Sequence, residues 1–440
     1  MTERDPLPRI HEALRRAASR FGTPVQVTDQ ATLEASAARI QSAFPDPWLR
    51  AFSIKANDVA PIVARLGALG FDANVVSRGE WAVAHRAGIP NARITLEGVG
   101  KTDGDLRAAV RSAVDGDPIR WVAIESLDEA EVLVRIAGAP RSQARRGGDG
   151  RMPLGVLFRL NPEVAPETHA GLAVGSGPSK FGMTADELSA AVAVIEAAPR
   201  LRARGIQLHV GSQLGAVDAW RDAVRRGLAL LALLGGTRPD FDTLDVGGGF
   251  PVAPLGEPAP DAARFAREVP ALLDAIPADR RPRRFAIEPG RAPVARSGFL
   301  VARVLHVRER GGRLIVIDAG MTELIRPALY DAWHEIVALT SLGRPFDPVD
   351  PGGAGAGSDG AASMEPARVE GPICESTDHL GEHRLPPLRR GDLVAIRDTG
   401  AYSASMATTY NGRPRPAQVI VELDGSLALA RRRGSLTALG

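Results

Sequence analysis

Ala51-Phe52-Ser53-Ile54-Lys55-Ala56-Asn57 is a short apolar run that ends in a lysine and breaks at once into a loop. Only three of the chain's 54 basic residues are lysine, Lys55, Lys101 and Lys180, and the rest are arginine. Arginine keeps its proton in a protein, whereas a desolvated lysine can lose it and act as a nucleophile or Schiff-base amine. A lysine where a buried strand opens into a loop suits that chemistry; a strand-end lysine that merely snorkels to solvent is the plain alternative.

Working outward, the same pattern recurs over residues 37–293. Runs rich in β-formers at 51–54, 71–76, 93–96, 120–124, 154–160, 205–210, 243–246 and 284–287 alternate with helix-compatible segments rich in alanine, leucine and arginine. Eight β/α units predict a TIM (β/α)8 barrel, whose functional groups gather at one face where strands end and loops begin. The run ends are polar: Lys55, Ser77, Glu125, Arg159 with Asn161, His209 with Ser212, Gly247-Gly248-Gly249, and Glu288 with Arg291. A set repeated at the same place in successive units is what a shared pocket requires.

Over 294–440 the pattern changes to strand-like runs without long helices, at 298–307, 313–318, 368–373, 392–398 and 418–422, which predicts an antiparallel β domain. The early run at 24–27 precedes the first barrel unit and is expected to join that sheet, so that residues 1–36 lend the second domain an N-terminal strand. The basic, glycine-rich stretch 138–150 and the stretch 343–367, with Gly352-Gly353-Ala354-Gly355-Ala356-Gly357, read as long loops.

Composition excludes several functions. The formal charge of the 440 residues is +2 and the arginines are spread throughout, so no nucleic-acid face is expected. The single cysteine, Cys374, excludes an internal disulfide and a cysteine metal cluster, which suits a reducing compartment, and no metal is expected. The first residues are charged and no stretch reaches the roughly 20 apolar residues of a membrane span, so a cytoplasmic protein without a membrane partner is expected.

Several residues carry chemistry. Gly247-Gly248-Gly249 follows a strand, where a glycine run lets backbone N–H groups converge on a phosphate or simply makes a tight turn. Glu288, in Glu288-Pro289-Gly290-Arg291, ends a buried strand and needs a cationic or N–H partner, which a protonated pyridine nitrogen would supply. His209 is either a structural hydrogen-bonder or a flat ring stacked on a cofactor, and Ser212 beside it would add a phosphate hydrogen bond. In the second domain Arg326 and Tyr330, four apart, would hold a carboxylate if their segment turns helically. Cys374 offers a thiol proton beside Glu375, and Tyr402 sits in the turn Asp398-Thr399-Gly400-Ala401-Tyr402 with its hydroxyl available to a phosphate.

In this order these segments resemble the fold-type III pyridoxal-phosphate decarboxylases, of alanine racemase-like fold. The match runs from Gly22-Thr23-Pro24 to Arg413-Pro414-Arg415-Pro416-Ala417. It rests on Lys55-Ala56-Asn57, Val76-Ser77-Arg78-Gly79-Glu80, Ser179-Lys180-Phe181-Gly182, His209-Val210-Gly211-Ser212-Gln213, Gly247-Gly248-Gly249, Glu288-Pro289-Gly290-Arg291, Ile325-Arg326-Pro327-Ala328-Leu329-Tyr330, Cys374-Glu375-Ser376 and Gly400-Ala401-Tyr402. The resemblance implies pyridoxal 5'-phosphate as cofactor, bound to Lys55, with His209 stacked on its ring and Glu288 paired with the pyridine nitrogen. It implies that Ser212, Gly247, Gly248, Gly249, Gly290, Arg291 and Tyr402 surround the phosphate. Arg291, Arg326, Tyr330, Glu375 and Tyr402 would recognise the substrate, and Cys374 would return a proton to the substrate carbon.

The resemblance further implies a homodimer with shared active sites, the segment holding Cys374 and Glu375 being given to the other subunit. It is strongest to members that decarboxylate meso-2,6-diaminopimelate to L-lysine, as Arg326 and Glu375 suit a substrate with a distal carboxylate and a distal amine. Another amino acid, free or carrier-bound, in specialised metabolism is the alternative. A catalytically silent cofactor-binding homologue would be expected to lack Lys55 or Cys374, and both are present. The sequence departs from the family pattern at Asn74, where an acid is usual, and at Phe52-Ser53-Ile54.

Overall fold

The computed structural model describes residues 5–139, 153–168, 179–254, 257–347 and 363–438. Most of the two long loops expected at 138–150 and 343–367 lies outside them. The chain divides into two compact units, residues 37–252 with 258–292, and residues 1–36 with 253–257 and 293–440.

The first strand of the chain, β1 (Val25–Asp29), belongs to the second of these units. The next eight close the barrel: β2 (Leu49–Ser53), β3 (Asp72–Val75), β4 (Ile94–Leu96), β5 (Trp121–Ile124), β6 (Leu154–Leu160), β7 (Leu201–Leu208), β8 (Thr243–Asp245) and β9 (Arg284–Ile287). All neighbours are parallel, and β9 returns to β2 through Leu49 with Ala286 and Arg50 with Ile287. Helices on the outside explain why most residues of these strands are buried, since both faces of such a sheet are covered. Trp121, Ala123, Leu157 and Ala286 are buried together, one residue set from alternate strand positions.

Four of the connecting helices begin where the sequence places a hydroxyl. Ser77 and Ser126 accept from the N–H groups of Glu80 and Glu129, and Thr102 and Thr184 form reciprocal capping boxes with Asp105 and Glu187. Each such cap is worth about 1 kcal/mol and fixes where the loop at the strand end turns into helix. Ser77 and Glu125, both expected in a shared pocket, therefore have structural partners: Glu125 Oε1 accepts from Arg159 Nη1 at 2.8 Å, and Oε2 accepts from the Gly182 N–H at 3.2 Å.

The other unit is built on a nine-stranded sheet. Besides β1 it contains β10 (Gly298–Glu309), β11 (Arg313–Ile317), β12 (Ile336–Ala338), β15 (Glu365–Glu370), β16 (His379–Leu385), β17 (Leu393–Ile396), β18 (Ala417–Val421) and β19 (Leu427–Arg431), with the short pair β13 (Thr340–Ser341) and β14 (Arg344–Pro345) beside it. Its order is β16-β15-β11-β10-β1-β18-β19, and β17 pairs with β10 and β12. The sheet is mainly antiparallel, as the sequence suggests, but β1 runs parallel to β18 and β11 to β15. Both exceptions join strands far apart in sequence, where no hairpin dictates direction. Two apolar clusters cover it. One gathers Leu300, Val304, Ile315, Ile317, Val369 and Val394, and the other seats the helix Leu7–Phe21 through Leu7, Ile10 and Leu14 on Val25, Val27, Phe299 and Val419.

Candidate active site

In the barrel unit, Lys55 sits in the single helical turn Ile54–Ala56 that ends β2, half-buried between the buried Ile54 and Ala56. The other two lysines are occupied elsewhere. Lys101 pairs with Glu129 at 3.1 Å, and Lys180 lies 5.2 Å from the centre of the Phe181 ring. Lys55 alone of the three stands at the strand ends with His209 and Glu288, on both of which its charge acts.

His209 follows the last residue of β7. Its Nδ1 accepts from the Gly248 N–H at 3.3 Å, which leaves the proton of the neutral ring on Nε2. Burial, helped by the charges of Lys55 and Arg159, holds the imidazole well below its ordinary pKa, although the residue keeps some solvent-accessible surface. A neutral, flat ring at a strand end is suited to stacking.

The three glycines are demanded by close approach. A Cβ on Gly247 would lie 2.2 Å from the Leu208 carbonyl oxygen, one on Gly248 2.4 Å from that of Glu288, and one on Gly249 2.7 Å from that of Gly211. Gly247 and Gly249 also have φ of +71° and +99°. The expected cradle of converging N–H groups is modified, because the Gly247 N–H donates to Asp245 Oδ1 at 2.9 Å and that of Gly248 to His209. Beside this turn, Arg291 Nη2 donates to Ser212 Oγ at 3.3 Å, so a cation and a hydroxyl converge there. Gly290 leads directly into the helical turn Arg291–Val294.

Glu288 is buried, and its Oε1 accepts from Gln207 Nε2 at 2.7 Å. Burial first, then the neighbouring Asp245, pushes its carboxyl up to about 7. Two further buried acids stand with it, Glu97 at the end of β4 and Asp245 at the end of β8, with one oxygen of each of the three within 4.8 Å of the others. Sequence reading missed both. Asn74, the departure from the family pattern, has its place here: its Nδ2 donates to Glu97 Oε2 at 2.9 Å.

In the β unit, Arg326 opens the helical turn Arg326–Tyr330, so the expected helical spacing is present. Its guanidinium carbon lies 5.3 Å from the centre of the Tyr330 ring and 5.8 Å from that of Tyr402. It is only 5 % exposed, its Nε has no hydrogen-bond partner, and burial lowers the guanidinium pKa. A buried cation faced by aromatic rings and carrying an unmet donor has the chemistry to pair with a carboxylate. Tyr402 itself has φ of +57°, a left-handed conformation that holds its ring beside Arg326.

Cys374 is exposed and accepts from Asn411 Nδ2 at 3.5 Å, and Glu375 Oε1 accepts from the Tyr410 hydroxyl at 2.5 Å. The loop carrying both is shaped by Asp378, which sequence reading also passed over. Asp378 Oδ2 accepts from the Ile373 N–H at 2.7 Å and Oδ1 from the Met321 N–H at 2.5 Å. Gly371 and Gly320 pack on this carboxylate so closely that a Cβ would sit 2.2 and 2.3 Å from it.

A lysine, a neutral histidine and a buried acid thus stand at one barrel face, beside a cation and a hydroxyl. The chain belongs to the pyridoxal-dependent decarboxylases: the model of their pyridoxal-binding domain matches residues 30–295. Among curated proteins it is similar to the diaminopimelate decarboxylase of Aquifex aeolicus, 34 % identical over 96 % of this chain and 91 % of that one. The enzyme of that name from Pseudomonas aeruginosa is 35 % identical over 96 % of this chain and 92 % of its own. Among solved structures, the diaminopimelate decarboxylase of Helicobacter pylori complexed with L-lysine superposes with a TM-score of 0.83 at 28 % identity, covering 97 % of this chain and 98 % of that one.

Proposed function

We propose that this chain decarboxylates meso-2,6-diaminopimelate to L-lysine and carbon dioxide. The reading rests above all on Arg326, a buried cation whose Nε lacks a partner and which suits a substrate carrying a second carboxylate. The relatives named diaminopimelate decarboxylase, similar over nearly the full length, support it.

When bound, pyridoxal phosphate supplies an electron-poor ring that accepts the electron pair left by departing carbon dioxide. Lys55 Nζ would hold it covalently, His209 would stack on the ring, and the Glu288 carboxylate would meet the ring nitrogen and keep it protonated. Ser212 and Arg291, with the Gly247-Gly248-Gly249 turn, Gly290 and Tyr402, would surround the phosphate. Arg291, Arg326, Tyr330, Tyr402 and Glu375 would orient the substrate, Arg326 through its distal carboxylate and Glu375 through its distal ammonium. Cys374 Sγ would return the proton to the carbon that lost carbon dioxide. Its exposure on the β unit fits donation of this segment to a partner subunit, and hence a homodimer with shared sites. No helix among the described residues is long and apolar enough to cross a membrane, and a biosynthetic enzyme of this kind belongs in the cytoplasm.

Purified protein with cofactor is to be given meso-diaminopimelate, ornithine, arginine and glutamate separately while carbon dioxide is measured. Release from meso-diaminopimelate alone is expected, and preference for any other substrate would overturn the assignment. Mixing inactive Lys55→Ala with inactive Cys374→Ala subunits is expected to restore part of the activity. No recovery after demonstrated exchange would exclude the shared site.

A further inference from the structure

Three carboxyl groups meet inside the barrel unit, and no mechanism step above uses more than one. Glu97, Asp245 and Glu288 are 5 %, 0 % and 5 % exposed, with one oxygen of each within 4.8 Å of the others. Their hydrogen-bond donors are uncharged. Asn74 Nδ2 and Trp121 Nε1 serve Glu97 at 2.9 and 3.5 Å, Gln207 Nε2 serves Glu288, and the Gly247 N–H serves Asp245. Asp245 Oδ2 has no donor at all. Three anions so placed would repel one another in a desolvated setting, so the cluster must retain protons. The question is which oxygen carries them.

Geometry separates the three. Glu288 follows β9 at the strand ends shared with Lys55 and His209, so the cluster's negative charge is useful there. Glu97 follows β4, with neutral Asn74 on the neighbouring β3 and neutral Trp121 on β5, and the charged groups facing it are Asp245 and Glu288. Glu288 additionally feels Lys55. Accordingly, burial holds the Glu97 and Asp245 carboxyls well above their ordinary range.

We propose that Glu97 is a positioning residue that keeps a proton and donates it in a hydrogen bond to Glu288, so that the cluster's negative charge stays on the carboxylate facing the cofactor's ring nitrogen. The inference rests on the reading of Glu288 given above. It assigns Asn74 a purpose: its amide N–H holds the other Glu97 oxygen and orients the donated proton. No atom is transferred in the reaction by Glu97. Its effect is to lower the proton affinity of Glu288.

The sign of one shift tests this. Binding of pyridoxal phosphate to the full chain, followed by visible absorbance, is to be titrated against pH. If Glu97 is a neutral donor, Glu97→Ala removes a bond that favours the Glu288 anion, and the acid limb of binding moves up by about one pH unit. Glu97→Gln, whose amide can donate in the same direction, restores the limb. If Glu97 is instead ionised, Glu97→Ala relieves repulsion and the limb moves down; that result, or no movement, overturns the proposal. Should Glu97→Ala fail to fold, infrared spectra of the cofactor-free protein at neutral pH decide, since Glu97→Gln is expected to remove one protonated-carboxyl band. An unchanged band pattern overturns the proposal. Glu288→Gln separates the two readings: if it leaves the acid limb in place, the role of Glu288 itself is wrong, whereas if it abolishes the limb and Glu97→Ala does not move it, only the role of Glu97 falls.

Discussion

The two units treat buried charge in opposite ways. The barrel unit gathers three acids, Glu97, Asp245 and Glu288, with uncharged donors around them, while the β unit buries Arg326 between two tyrosines with its Nε unmet. Elsewhere each unit balances its charges: Arg159 pairs with Glu125 in the barrel, and Arg397 pairs with Asp5 and Glu335 in the β unit. Leaving a buried charge uncompensated costs several kcal/mol unless something arrives to pair with it. The acids suit a cation and Arg326 suits an anion, and the proposed reactants carry both, a protonated ring nitrogen and a substrate carboxylate.

The comparison can be broken or sharpened at four places. The largest effect is expected at Lys55, the cation nearest the acids that is itself chemically reactive. Lys55→Arg keeps the charge but cannot bond to the cofactor, so visible absorbance and turnover should both vanish, and borohydride treatment of the wild type should leave a stable adduct on Lys55 alone. An adduct on Lys101 or Lys180 would show that the barrel site has been misassigned. At the other pole, Arg326→Ala should lower kcat/KM for meso-diaminopimelate by about 2–5 kcal/mol, roughly 30-fold or more, with the cofactor absorbance unchanged. Full efficiency in that variant would mean that the unmatched cation has no role in recognition.

The third test removes one acid from the surplus. Glu288 has its folded-state pKa raised from 4.5 to about 7, so the folded protein holds a proton that the unfolded chain releases. Its contribution to stability is full below pH 4.5 and is lost as pH rises to about 7, where it levels off. Cofactor-free wild type should therefore lose on the order of 3 kcal/mol relative to Glu288→Gln across that interval, measured by denaturant titration at each pH. Parallel curves would contradict a raised pKa. The smallest effect is expected at Asp378, an acid of the β unit whose oxygens have backbone donors. Asp378→Asn leaves one of two N–H groups unmet, which should cost about 1–3 kcal/mol and lower the denaturation midpoint while the cofactor spectrum persists.

The barrel could be read from the sequence because covered strands leave short runs rich in apolar residues between helical segments; the runs at 154–160 and 284–287 match β6 and β9 residue for residue. The β unit was harder where a strand has one face in solvent. β16, His379-Leu380-Gly381-Glu382-His383-Arg384-Leu385, alternates exposed and buried positions with charges on the outer face, and β19 is largely half-exposed, so neither stands out as apolar. β15 begins at Glu365, earlier than the run at 368–373 suggests, because its first two residues are exposed. At the site, Lys55, His209 and Glu288 were visible as polar ends of apolar runs. Glu97 was not, since β4 is only three residues long and the acid following it resembles an ordinary turn residue. Its meaning comes from Asp245 and Glu288, more than a hundred residues later, which only closure of the barrel brings near.

The position of β1 bears on how the chain is made. This strand lies in the middle of the nine-stranded sheet, between β10 and β18, so one of its edges is filled only by residues 417–421. On a ribosome the barrel strands emerge complete and in order, whereas β1 and the apolar face of the helix Leu7–Phe21 must wait for nearly the whole chain. At ordinary synthesis rates that delay is about twenty seconds or more. During it, a strand that is buried in the folded unit and a helix with an apolar face are present without their sheet, which makes residues 7–29 a natural client for a chaperone until the strand at 417–421 closes over them.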